Sequence, residues 1–351
     1  MKKKLNTLQA GRGIAAFMVL LYHANGAYGF GGRGHLGHIF SFGFAGVDFF
    51  FVLSGFIIAY TSLPFIKAQN GAAIFLRKRI LRIYPIYWVY LFVAVIIGYL
   101  QYHDLNIFEH FWKTLTFFPG YHFVLRASWT LGFEVFFYLL FALLIFSKWS
   151  LFVIIPIGIL SAVNAVLQNV GIYYMTDNHI INTLCTPFNI EFLLGYLSYL
   201  IYEKINKPII WILLIATALT IVFEIFYYTR ADYRLYPGMR ILPFGLPAFV
   251  VVTAFAALDY KGLFHAPRFL VVLGDASYTL YLVHANIFSF VNDAIFAPLK
   301  LSEKAVMDLM VIVVLFTIGI SLVLYKYVEK PLLRKLNKII PEKIGHDQIP
   351  N

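Results

Sequence analysis

Apolar and polar positions alternate along this chain on the scale of whole helices: long apolar runs are separated by short polar punctuation. Runs of roughly 20 residues, the length a helix needs to cross the hydrocarbon of a bilayer, fall at 8–27, 43–62, 80–102, 127–147, 150–170, 188–204, 208–228, 240–258, 268–290 and 306–327. The pattern predicts an all-α, polytopic membrane bundle of about ten transmembrane helices. The fifth and sixth runs are interrupted by Pro156, Asn164 and Pro187, residues that bend or end helices. No internal repeat, low-complexity stretch or soluble domain breaks the series. Residues 1–328 read as one transmembrane domain, and 329–351 as a basic cytoplasmic tail too short to bury a core. Lys2, Lys3 and Lys4 ahead of the first run imitate a signal peptide, but Arg12 and His23 interrupt its apolar part and no small-x-small site follows.

Composition agrees: 61% of the residues are hydrophobic and 13% charged, a membrane balance rather than a soluble one. The formal net charge of +11 does not point to nucleic acid, because the basic residues sit between the apolar runs and in the tails. With an even number of spans, both termini share a side. That side holds 18 Lys and Arg against 8 on the other, which predicts cytoplasmic termini. The single cysteine, Cys185, excludes an intrachain disulfide and a Cys-rich metal site. His35 and His38 lack further ligands, so no metal is expected. Glycines 29, 31, 32 and 34 read as a loop rather than a phosphate cradle, since no strand or Lys-Ser/Thr accompanies them.

The chemistry lies in the ionisable residues within the spans, which normally face a bundle interior or a wet cavity. Arg12 and His23 are eleven residues apart, about 1100° of helical rotation, so they share one face with roughly 16 Å of rise between them. Counting residues from each span's entry point places His23, Asp48, Glu134, Glu191 and His284 in the outer part of the membrane. A base and carboxylates at one level suit proton chemistry. On the cytoplasmic side lie Arg12, Arg77, Arg79 and Arg82, a layer suited to a polyanion with phosphates. Each feature also has a plainer reading. Arg12 can snorkel to lipid headgroups, His23 can be a hydrogen-bonded packing residue, Asp48 or Glu134 a structural ion-pair partner, and the basic run a topology signal on anionic lipid.

At these residues the chain resembles the acyltransferase-3 family of bacterial integral membrane O-acyltransferases, in particular stand-alone enzymes that acetylate exopolysaccharide or O-antigen. Arg12 and His23 fit its basic-x10-His pattern, and residues 46–56, Gly-Val-Asp-Phe-Phe-Phe-Val-Leu-Ser-Gly-Phe, its second-helix signature. Arg79-Ile-Leu-Arg-Ile-Tyr-Pro85 fits the Arg-x-x-Arg element, and Ser128-Trp-Thr-Leu-Gly-Phe-Glu134 the Trp-plus-Glu helix. Gly274 to His284 and Val328-Glu-Lys-Pro331 resemble the closing motifs. The resemblance implies a cytoplasmic acyl-CoA donor, most simply acetyl-CoA, with no tightly bound cofactor. It also implies a carbohydrate acceptor, an exopolysaccharide, O-antigen or lipid-linked oligosaccharide, on the outer side of the inner membrane. Coenzyme A has phosphates at one end and its thioester at the other, so cations should stand apart from a base, as Arg12 does from His23. His23, oriented by Glu134 or Asp48, is the expected base, with an acyl-histidine the competing route. Trp129, Ser277 and Tyr278 are candidate oxyanion donors. The alternatives are a non-enzymatic exporter or flippase of a lipid-linked sugar, which should show paired repeats, and a non-catalytic assembly subunit, which gives no reason for two ionisable layers.

The predicted topology has a direct check. In a Cys185→Ser background, a thiol reagent that cannot pass membranes should label a cysteine placed at Gly32 in intact cells and leave one at Asn337 unlabelled. The reverse pattern would invert the orientation.

Overall fold

The computed structural model describes residues 4–28, 35–62, 65–66, 68, 70–102, 111–119, 124–172, 178–227 and 236–338. Of the outer loops expected around Gly29–His38 and Asp104–Arg126, residues 29–34, 104–110 and 120–123 lie outside them, as does the tail from 339, while His35–Ser41 are helical. All regular elements among the described residues are helical. The first half comprises α1 (Asn6–Tyr28), α2 (His35–Ser41), α3 (Ala45–Ser62), α4 (Gly71–Tyr102), α5 (Phe111–Thr116), α6 (Trp129–Phe146) and α7 (Leu151–Asn169). The second comprises α8 (His179–Leu184), α9 (Phe188–Ile201), α10 (Lys207–Tyr227), α11 (Pro237–Arg240), α12 (Leu246–Lys261), α13 (Arg268–Asp275), α14 (Ser277–Val291), α15 (Glu303–Leu324) and α16 (Lys330–Asn337).

The helices differ from the predicted spans in three places that matter for the site. Helix α4 starts at Gly71 rather than near 80, so the Arg77 to Arg82 run lies within it. A π turn, Ile241–Gly245, joins α11 to α12 and draws Arg240 into the bundle. Pro243 in that turn has no N–H to give, and the hydrogen-bond ladder widens around it. The ninth run splits at Ala276 into α13 and α14. Among the described residues, 8 helical segments are long and apolar enough to cross a membrane. The other two expected spans, α1 and α13–α14, are not among them; polar residues dilute both, and a break divides the second. Those two carry His23 and His284. Helices α1 and α14 lie inside the bundle, whereas α7 and α10, with 11% of their apolar windows buried, form its periphery.

Backbone proximity sets the interior. A Cβ on Gly55 of α3 would sit 2.0 Å from the Phe192 carbonyl oxygen, and one on Gly195 of α9 would sit 1.9 Å from that of Val52. These two helices therefore cross with glycine against backbone, the small-residue packing by which membrane helices approach closely. On the other side of α1, a Cβ on Gly274 would meet the Gln9 carbonyl oxygen at 1.8 Å. The first turn of α1 is also anchored. The Asp259 carboxylate accepts from the Thr7 and Leu8 amides at 2.8 and 3.2 Å and from the Thr7 hydroxyl at 2.8 Å, satisfying amides that a helix start leaves open. Lys4 pairs with Asp275 at 3.1 Å. Helix α1 is thus held in depth and in rotation.

The glycine crossing gives a controlled comparison. Gly195→Ala should lower stability in detergent by about 1–3 kcal/mol, because its methyl meets backbone that cannot swing away. Gly319→Ala, where nothing lies within 4 Å of the added carbon, should be neutral or slightly stabilising. Thermal unfolding of the two variants side by side measures the difference, and equal melting temperatures would refute the packing account.

Candidate active site

A cavity of about 400 Å³ opens beside the first turns of α1 and runs inward between α3, α4, α6 and α14. Its wall carries four cations, Lys4, Arg12, Arg79 and Arg82, and one carboxylate, Glu134. Arg79 and Arg82 reach it together because the early start of α4 puts them one turn apart on one helical face. Arg79 is held by the hydroxyls of Thr61 at 2.5 Å and Ser62 at 3.1 Å. Arg82 lies 3.4 Å from Glu329, a fully buried carboxylate that also accepts from Thr279 at 2.7 Å. Arg12 is the least engaged: its one hydrogen bond among the described residues goes to Gln9, one turn back, at 3.4 Å. Arg77 is exposed and is not part of the wall. An unmatched surplus of guanidinium donors in a partly desolvated cleft is a site for an anion of several charges.

The cavity ends on aromatic rings. Phe50 and Tyr281 line it and stand 5.8 Å apart, and the Tyr281 hydroxyl bonds the Thr130 hydroxyl at 3.0 Å. Behind Tyr281, at 5.9 Å, lies the ring of His284, and 4.9 Å beyond that the ring of His23. Neither histidine lines the cavity. The Nδ1 of His23 faces the Val19 carbonyl at 3.3 Å, and that of His284 the Leu280 carbonyl at 3.1 Å. A carbonyl can only accept, so each Nδ1 carries its hydrogen, and in the neutral ring each Nε2 then presents a lone pair. For His23, which is partly exposed, that is the form a proton acceptor needs.

The carboxylates expected to orient His23 make their bonds elsewhere. Glu134 accepts from Ser54 at 3.1 Å and, on the same oxygen, from the Tyr138 hydroxyl. It therefore belongs to the arginine cavity, not to the histidine level. Asp48 is spent on Arg240, whose Nε and Nη2 donate to its two oxygens at 3.0 and 2.5 Å, while Nη2 also reaches the Phe44 carbonyl. What holds the His23 ring is the Val19 carbonyl and the neighbouring rings of His284 and Tyr22. Glu191 is fully buried beside Gly245, and neither of its oxygens has a hydrogen-bond partner among the described residues. Of the candidate oxyanion donors, Ser277 lines the cavity with its hydroxyl unpartnered, Tyr278 donates to the Ile83 carbonyl at 2.9 Å, and Trp129 lies outside the wall.

Sequence reasoning missed Arg240, Glu329 and Tyr281. Arg240 opens an apolar run and reads as a loop cation. Its signal was indirect, since a carboxylate at the depth of Asp48 demands a cation somewhere. Glu329 stood within a noted motif, but nothing near it in sequence names Arg82.

Residues 5–326 match the acyltransferase domain family. The chain is 30% identical to the exopolysaccharide production protein ExoZ of Rhizobium meliloti (strain 1021), over 85% of this chain and 92% of that protein. It is 25% identical to the peptidoglycan O-acetyltransferase OatA of Listeria monocytogenes, over 81% of this chain and 49% of that one. The O-acetyltransferase OatA of Staphylococcus aureus (strain NCTC 8325 / PS 47) is 23% identical, over 95% and 58%. The chain thus spans about half the length of the OatA proteins. No solved structure matches it.

The Asp48 and Arg240 pair is testable as structure. Arg240→Leu should cost about 3–5 kcal/mol by leaving a buried carboxylate alone, and adding Asp48→Leu should recover most of that loss. Melting temperatures of the single and double variants decide it. A double variant no more stable than Arg240→Leu would mean the pair is not what the fold needs there.

Proposed function

We propose a function from one premise: the chain belongs to the acyltransferase family, whose domain it matches over nearly its whole length. It is a multi-pass membrane O-acyltransferase. In our reading it moves an acyl group, most simply acetyl, from acyl-CoA to a hydroxyl of a surface polysaccharide or of its lipid-linked precursor. ExoZ and the OatA proteins, by their names, act in exopolysaccharide production and O-acetylation, which supports a carbohydrate acceptor. The observation that carries the reading is the arrangement along α1: a cationic cavity at the depth of Arg12, an aromatic partition, and a histidine with a free Nε2 beyond it.

With the termini cytoplasmic, the cavity faces the cytosol at Lys4. Arg12, Arg79 and Arg82 then bind the donor phosphates, and Lys4 adds charge at the mouth. The volume suits the slim arm of coenzyme A rather than the whole molecule. The arm directs the thioester toward Phe50 and Tyr281. The acceptor approaches His23 from the opposite face. His23 Nε2 takes the hydroxyl proton as that oxygen attacks the thioester carbonyl carbon, general-base help worth about 10²–10⁴-fold. The Ser277 hydroxyl, buried just behind the cavity wall and unpartnered among the described residues, would donate to the developing oxyanion after a rotation toward the cavity. No metal or tightly bound cofactor is required by this scheme. Glu134, fixed by Ser54 and Tyr138, sets the position of the arginine side rather than of the base, and Asp48 holds α3 to Arg240.

The test is acyl-CoA-dependent labelling of polysaccharide by purified protein in vesicles. His23→Ala should lose at least about 100-fold in transfer rate while still binding donor by calorimetry. Arg12→Gln, which breaks no ion pair, should raise the donor KM by about tenfold or more, the loss of one charge-assisted contact. Near-normal transfer by His23→Ala would remove the base from the mechanism. An unchanged donor KM with a raised acceptor KM would move Arg12 away from the donor.

A further inference from the structure

Every proton acceptor the proposed reaction uses so far sits on the acceptor side, yet the reaction ends with a proton on the donor side. Attack by the hydroxyl breaks an O–H bond and forms C–O, and collapse breaks C–S and leaves the electron pair on sulfur. The proton must then reach that sulfur, which lies at the inner end of the arginine cavity. Neither histidine lines this cavity, so the proton must pass the Tyr281 ring to reach it. His284 stands in the gap. Its ring is 4.9 Å from that of His23 and 5.9 Å from that of Tyr281, which forms the cavity's end wall.

Helix α14 is built to connect the two places. Ser277, Tyr281 and His284 follow at i, i+4 and i+7 and so share one helical face; the first two line the cavity and the third meets His23. His284 is 1% exposed, with Nδ1 committed to the Leu280 carbonyl. Its Nε2 is buried with no hydrogen-bond partner among the described residues. An unsatisfied buried acceptor costs stability, and such a group in a native fold calls for an explanation. The other rings around it, Tyr281 and Phe288, bring no second charge to its site.

We propose that His284 is the second proton carrier of the transfer: it receives on Nε2 the proton that His23 took from the acceptor hydroxyl and delivers it to the leaving sulfur of the donor. This rests on the acyl-transfer reading above. The O–H proton becomes the S–H proton, both imidazoles return to their neutral Nδ1–H form, and no further reactant enters. The division of labour follows from exposure: His23, partly open, serves the acceptor, and His284, closed off, serves the donor.

Replacement of His284 by alanine opens a space of imidazole size, which makes rescue the deciding experiment. In the vesicle assay His284→Ala should lose about 100-fold or more in transfer with donor binding unchanged. Added imidazole should restore at least about tenfold of that loss, while pyrazole, of the same size but far weaker as a base, should not. Equal rescue by both, or a His284→Ala rate within a few-fold of wild type, would show a packing residue and overturn the proposal. If neither compound rescues, or the alanine variant does not accumulate, His284→Gln decides, since its amide fills the site and accepts a hydrogen bond but cannot carry a proton. Loss of transfer with donor still bound supports the relay, and near wild-type transfer refutes it. Wild-type protein that moves no acyl group from acyl-CoA would bring down the acyl-transfer reading and the relay together, whereas a normal wild type with an active His284→Gln brings down the relay alone.

Discussion

Charge inside an apolar bundle must be answered by other charge or by donors, because the desolvation of an unpaired ion exceeds what most packing can offset. Much of this protein's interior follows from that constraint. Asp48 is answered by Arg240, Glu329 by Arg82 and Thr279, Arg79 by the hydroxyls of Thr61 and Ser62, and Glu134 by Ser54 and Tyr138. Each of these partnerships ties two or more helices together. The polar residues are therefore part of the architecture as well as of the chemistry.

Three exceptions to that matching bear on the proposed reaction. Arg12 holds only a long bond to its own helix, the Ser277 hydroxyl has no partner, and His284 keeps one nitrogen unsatisfied. All three lie along one path from the mouth of the cavity to the histidine pair. In the proposed reaction these are the groups that the donor and the acceptor would complete. Glu191 is also incomplete, packed against the Asp48–Arg240 pair rather than on the path, and single atoms of Arg79, Asn189, Glu224 and Glu329 have no hydrogen-bond partner among the described residues.

Helix α1 makes the path possible. Its start is pinned by Asp259 and Lys4–Asp275, and its flank is pressed against the backbone at Gly274, so the rotation that aims Arg12 at the cavity also sets where His23 points. The phenyl and phenol rings of Phe50 and Tyr281 then divide the path into two compartments. For the proposed reaction this separation has a use: the thioester waits at the ring partition shielded from bulk water, and attack by the acceptor at His23 requires those rings to turn aside.

Much of this was legible in the chain. Apolar run length dictates helices that span a membrane, and residue spacing along a single helix puts Arg12 and His23 on one face and Arg79 beside Arg82, because helical geometry acts over a few turns and needs no information from elsewhere. The six motifs in order identified the family for the same reason: they are local. Tertiary structure alone decided which side chains meet. Asp48 finds Arg240 across 192 positions and Arg82 finds Glu329 near the other end of the chain. A count of residues from each membrane face placed Glu134 beside His23, whereas the fold delivers it to the arginines. Depth is a single coordinate, and it cannot say which neighbour a helix presents its side chain to. That choice belongs to the glycine crossings, the broken helices at Ala276 and Ile241–Gly245, and the demand that each buried ion find its partner.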